Sequence, residues 1–159
     1  MDSRKSAPYF RSFAEHDMAL AEDLHSRLSP HFAASRTYAF TEWKFPDILI
    51  GERWHDAIVA ALAVNRIGLL LLSPTFLIRP YIVTEELPRL LVPEKIVLPV
   101  LLKPVDMKRQ ELHGLDKLQI FATRVSQERR AFSQCRGDQR DEFAFDLYKA
   151  IEDRLDRDL

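Results

Sequence analysis

The chain has 159 residues, 47% hydrophobic and 30% charged, with 23 basic and 24 acidic side chains. That fits one globular domain and excludes two ordinary ones, and a net charge of -1 gives no global pull toward nucleic acid or an anionic membrane. One cysteine, Cys135, excludes an internal disulfide framework and a multi-thiolate zinc site.

The start, MDSRKSAPYF, lacks a signal-peptide apolar region, and no apolar run is long enough to span a bilayer. A cytoplasmic setting is therefore expected. The four glycines are Gly51, Gly68, Gly114 and Gly137, and no two form a G-x-G, so the Rossmann and Walker A motifs are absent.

In chain order, Tyr9–Phe13 reads as a short aromatic strand. From Asp17, a plausible N-cap, Met18, Ala21, Leu24 and Leu28 fall at helical spacing, and Pro30 is expected to end the helix. Arg36–Trp43 alternates as a second strand. Beyond Gly51, Trp54, Ile58, Ala61 and Leu62 form an apolar helical stripe, which favours a core role for Trp54. Ile67–Leu72 and Ile96–Leu102 are continuous apolar runs, expected of parallel strands covered on both faces. Between them Pro80 opens a helical segment and Pro88 bends or stops it. Leu118–Phe121 reads as a fifth strand, Arg124–Asp141 as a solvated loop. Phe143, Leu147, Ile151 and Leu155 mark a C-terminal amphipathic helix. This alternation predicts an α/β fold: a flavodoxin-like three-layer sandwich, with a five-stranded parallel sheet and helices on both faces. A single domain spanning 1–159 is expected, with its core at about 7–155 and residues 1–6 a flexible N-terminal tail.

In such a sheet ligands bind beyond the carboxyl ends of the strands. The third end, Ser73 to Leu87, joins a buried strand to a helix bearing the adjacent carboxylates Glu85 and Glu86. On an arbitrary helix these would be plain surface groups. The five histidines show no metal spacing, so no metal site is expected, and Cys135 reads as a bystander in a polar loop. A phosphoacceptor receiver domain shares the strand order but needs an aspartate where this chain has Leu72-Ser73-Pro74.

The same segment resembles the Toll/interleukin-1 receptor (TIR) domain family in its bacterial form. Ser73, Phe76-Leu77, Tyr81 and Glu86-Leu87 supply the family's serine, aromatic-aliphatic pair, aromatic and glutamate-aliphatic pair. Phe10-Arg11-Ser12-Phe13-Ala14-Glu15-His16-Asp17 is similar to the family's first box. Trp43, Ile48, Gly51 and Trp54 match its middle, and Leu98-Pro99-Val100 its proline-containing strand. Phe13 departs from the usual tyrosine, Lys44 from a common acid, Arg79 from a common small residue, and Tyr81 from a common tryptophan.

The resemblance implies NAD+ glycohydrolysis to nicotinamide and ADP-ribose or a cyclic ADP-ribose product. Glu86 is then the catalytic carboxylate, with Glu85 the register alternative, since counting from Tyr81 favours Glu85. Phe10, Ser12, Trp43, Ser73 and Tyr81 are the substrate-binding candidates, although Ser12 and Ser73 also read as ordinary strand-end hydroxyls. Phe45, Pro46, Ile48 and Ile50 form an apolar loop expected to mediate self-association. NAD+ enters as substrate, with no cofactor. The implied partners are other TIR domains in a homo-oligomer or filament, together with a sensor domain or partner protein; neither nucleic acid nor membrane is bound directly. The implied setting is an immune or antiphage effector. The alternative is a non-catalytic TIR adaptor that signals through TIR–TIR contacts.

Overall fold

The computed structural model describes residues 2–43 and 50–159. Four parallel strands form the sheet, β1 Lys5–Ser12, β2 Tyr38–Glu42, β3 Ile67–Leu72 and β4 Ile96–Leu101, in the order β2-β1-β3-β4. Helix α1 Met18–Ala34 joins β1 to β2, and α2 Trp54–Val64 precedes β3. Helix α3 Pro74–Ile78, a π-helical turn at Ile82–Glu86 and helix α4 Leu87–Leu90 lie between β3 and β4, and α5 Asp138–Asp158 ends the chain. The sheet sits between two apolar layers. On one face α1 and α5 bury Leu24, Leu28, Phe143, Leu147 and Ile151 against Tyr9, Leu69, Leu71 and Val100. On the other, Ile58, Leu62, Phe76, Leu87 and Leu90 cover Phe10, Leu70, Leu72 and Val97. Alternate residues of β3 serve opposite layers, which is why Ile67–Leu72 has no polar face. Gly68 leaves room for Leu90, whose Cδ2 would lie 2.9 Å from an added Cβ.

The expected fifth strand is reduced to one bridge, Val100 to Phe121, so among the described residues the sheet has four strands rather than five. Pro99 explains the loss. Ile96 and Leu102 donate to β3-side carbonyls, of Arg66 and Leu72. By strand alternation the intervening odd positions face the outer edge. There Phe121 donates to Pro99 O and Leu101 to Phe121 O, both at 2.8 Å. The next bond would need an N–H on residue 99, which proline lacks.

Other expectations shift locally. Lys5 and Ser6, assigned on sequence to the tail, pair with Tyr38 and Ala39 as the first residues of β1, while residue 1 lies outside the described residues. Helix α1 runs through Pro30 to Ala34, where buried Phe32 holds the extra turn against the core. The expected solvated loop includes a β-hairpin, β5 Thr123–Val125 with β6 Glu128–Arg130, followed by buried Phe132 and Cys135. The hairpin's turn residues, Ser126 and Gln127, both adopt positive φ, as a two-residue turn of the primed type requires.

Asp17 precedes α1 but does not cap it. Its fully buried carboxylate instead accepts from Ser73 Oγ and lies 2.6 Å from Lys103 Nζ. These three groups tie together the carboxyl ends of β1, β3 and β4. Removing Lys103 would leave a buried carboxylate with one hydroxyl donor. We expect Lys103→Met to destabilise by about 2 kcal/mol, the ammonium being one-third exposed. Asp17→Asn should cost less, because the amide oxygen still accepts from Ser73 and Lys103 can turn to water. Denaturant unfolding of both variants checks the order, and equal or reversed losses would contradict it.

Candidate functional site

The strand order changes direction between β1 and β3, and a cleft of about 690 Å³ opens at the carboxyl end of the sheet beside β1. Ser12, the last residue of β1, is buried there. The opposite wall comes from the segment after α3. Pro88 has no N–H, so an α-helical ladder cannot continue through it. Just before it the turn widens, with Leu87 N–H bonding Ile82 O five residues back. This turn points Ile82 and Glu86 into the cleft. Glu86 is only 8% exposed and accepts from Ser12 Oγ at 2.9 Å. Burial pushes its carboxyl above the ordinary glutamate range, and the Ser12 hydrogen bond offsets only part of that.

Glu85 takes the other direction. It is partly exposed, pairs with Arg89 at 2.7 Å one turn on, and does not line the cleft. The geometry thus separates two carboxylates that are adjacent in sequence.

Phe10, Ser12, Trp43, Tyr81 and Glu86 all line the cleft. Phe10 and Trp43 are stacked, 5.4 Å between centroids. Tyr81 Oη lies 3.0 Å from His55 Nδ1, and its ring packs against Trp54 at 5.0 Å. Burial, and then the charges of Glu86 and Glu85, raise the Tyr81 hydroxyl above its ordinary range. Trp54 is half exposed, not core: the α2 stripe is completed by Ile58, Ala61 and Leu62, leaving its first turn at the surface. Ser73 does not line the cleft. It is fully buried, accepts from Phe76 N as the N-cap of α3, and donates to Asp17. Ile50 is fully exposed. Phe45, Pro46 and Ile48 lie outside the described residues.

The cleft also holds a cluster that sequence reasoning missed. Arg11 pairs with Glu22 at 2.8 Å and Glu42 at 3.2 Å, and Glu42 lies 2.8 Å from His25 Nε2. Tyr9 Oη is 2.7 Å from the same nitrogen. Burial pushes the Glu42 carboxyl up, but His25 and Arg11 more than reverse this and hold it below the ordinary range. Strand alternation gives no warning, because Arg11 points to the opposite face from Ser12. The only sequence signal was a charged residue inside an aromatic strand. Among the described residues no group of three or more His, Cys, Asp or Glu is placed to hold a metal ion. No helix among them is long and apolar enough to cross a membrane.

A buried glutamate with a raised pKa makes a stability prediction. Its contribution is fully present below its unfolded-state value, near 4.5, and is lost as pH rises through the higher folded-state value. Glu86→Gln keeps the acceptor for Ser12 and removes the buried charge. We expect its melting temperature to exceed the parent's at pH 7, with the difference shrinking as pH falls toward 4.5. A difference independent of pH, or a less stable variant at pH 7, would contradict this.

A comparison with curated proteins finds no match. The family model for the TIR domain matches residues 10–136, which run from Phe10 in β1 to just before α5 and include every residue that lines the cleft. That match covers well over half of the chain, and the fold agrees with it: the chain belongs to the TIR domain family.

Proposed function

We propose that the chain is an NAD+ glycohydrolase and that Glu86 is its catalytic carboxylate. The observation that carries this reading is the Glu86 side chain, buried at the cleft wall beside Ser12 while Glu85 turns outward to Arg89. Nicotinamide is a cationic substituent that departs neutral. The bond between its ring nitrogen and ribose C1′ breaks, and the electron pair stays on nicotinamide. C1′ is left oxocarbenium-like, as in glycoside cleavage. A fixed and largely buried carboxylate stabilises that developing charge. Water then attacks C1′ and loses a proton, giving ADP-ribose; attack by the adenine of the same molecule gives a cyclic product. No general acid, Lewis acid or redox centre is required by this chemistry, so NAD+ is substrate rather than cofactor. The aromatic walls at Phe10, Trp43 and Tyr81 offer flat faces for the bases.

Ser12 orients Glu86 and borders the substrate, whereas Ser73 acts from beneath through Asp17. TIR domains generally interact with one another, and we assign this chain an assembly-activated role as a cytoplasmic immune or antiphage effector. Fully exposed Ile50, which follows Phe45, Pro46 and Ile48 in the sequence, supports self-association through this apolar stretch. The same exposed apolar residue favours the second reading, an adaptor that binds other TIR domains without catalysis. Nicotinamide release at high protein concentration separates the two.

Glu86→Gln should lose about a hundredfold in nicotinamide release, while Glu85→Gln keeps most activity. Loss in Glu85→Gln alone would move the assignment by one residue. Undiminished activity in both would end it. Following nicotinamide and reduced cofactor together, with and without chelator, tests the metal-free substrate reading. The rate should be unchanged by chelator, with no reduced cofactor appearing. Reduced cofactor would indicate a dehydrogenase, and abolition by chelator a metal requirement.

A further inference from the structure

The cleft is acidic, yet the substrate proposed for it carries a diphosphate. Among the described residues it is lined by four carboxylates, Glu15, Glu22, Glu42 and Glu86, and two guanidiniums, Arg11 and Arg79. An anionic ligand is repelled by such a wall unless one cation is available to meet it. Arg11 is not available. Its side chain is 9% exposed, held by Glu22 at 2.8 Å and Glu42 at 3.2 Å, with a backbone contact to Ala21 O. Freeing it would strip a guanidinium from Glu42, whose side chain is only 10% exposed and would keep His25 beside it.

Arg79 is built differently. It ends α3, and its carbonyl accepts from Val83 N at 3.0 Å, which anchors the backbone at the start of the turn that carries Glu86. Its guanidinium is 46% exposed, and its one ion pair among the described residues is a 3.7 Å contact with Glu15, itself 79% exposed. At that separation the pair makes no direct hydrogen bond and contributes little. A diphosphate offers the fork of a guanidinium two close acceptors, a stronger partner than a solvated carboxylate.

We infer that Arg79 is the anchor for the substrate's diphosphate and that Glu15 is the competitor the diphosphate displaces. This rests on the glycohydrolase reading. Arg79 acts on binding and leaves the chemistry at C1′ to Glu86. Opposite signs follow for the two members of one surface pair. Arg79→Gln should raise KM for NAD+ about five- to tenfold with kcat nearly unchanged, and its KM should respond less to added salt than the parent's. Glu15→Gln should lower KM, since it frees the guanidinium and removes a negative charge from the mouth. A purely structural role would shift both variants in the same direction.

Steady-state nicotinamide release by both variants, paired with calorimetric titration of ADP-ribose into each, tests the inference. ADP-ribose carries the diphosphate and needs no turnover. Five- to tenfold weaker ADP-ribose binding in Arg79→Gln and tighter binding in Glu15→Gln are expected. Active parent enzyme with unchanged KM and ADP-ribose affinity in Arg79→Gln would overturn the anchor and leave the enzymatic reading intact. A change confined to kcat would also overturn it. ADP-ribose binding that depends on Arg79, in a parent that releases no nicotinamide at any concentration, would uphold the anchor and overturn the glycohydrolase reading.

Discussion

Glu86 is buried beside a hydroxyl donor, Ser12, and that one contact joins the end of the first strand to the far wall of the cleft. A carboxylate in this position is costly to ionise, so the surrounding structure has to hold it there. Leu87 and Leu90 fix the segment after the widened turn in the apolar layer beneath. Phe10, two residues before Ser12, packs in the same layer. The polar contact therefore sits on a rigid apolar base, and little freedom remains for Glu86 to turn outward as Glu85 does.

A second buried carboxylate supports the first from below. Asp17 draws Ser73 and Lys103 together, so the ends of β1, β3 and β4 are set by electrostatics as well as by the ladder. Ser73 also caps α3, which leads to Arg79 and the turn bearing Glu86. The position of the site is thus inherited from a strand-end clamp that does not itself line the cleft. On the other side Arg11, Glu42 and His25 fill the space near β2 with paired charges. Such pairs give orientation more readily than net stability.

The core was legible because β3 and β4 are unbroken apolar runs and α5 carries a clear stripe. The lost fifth strand was not, because Pro99 disrupts pairing only if it faces the outer edge, and strand parity is not visible until a neighbour is known. Pro30 misled for a related reason: a proline's cost in a helix is outweighed when the next turn buries Phe32. At the site, counting from Tyr81 favours Glu85 while the following Leu87 favours Glu86, so residue order alone does not choose between them. A π-helical turn before Pro88 separates them: the proline signals a break in the ladder but does not say that the break takes the form of a widened turn. The position of Asp17 suggests a cap, but a lysine 86 residues away decides its role. Arg79 stood out on sequence only as a departure from the family pattern, and its chemistry depends on which carboxylates reach the other arginine.

In the proposed reaction Glu86 acts as a buried carboxylate whose ionised form Ser12 favours. The most direct test is the pH dependence of kcat/KM for nicotinamide release in the parent and in Ser12→Ala. Activity that depends on the ionised group should fall on the acid side with a midpoint above the ordinary glutamate value of 4.5. In Ser12→Ala that midpoint should move higher, because a donor to the charged form is gone. An acid limb at 4.5, or one that stays fixed when Ser12 is removed, would contradict the assignment of the chemistry to this carboxylate.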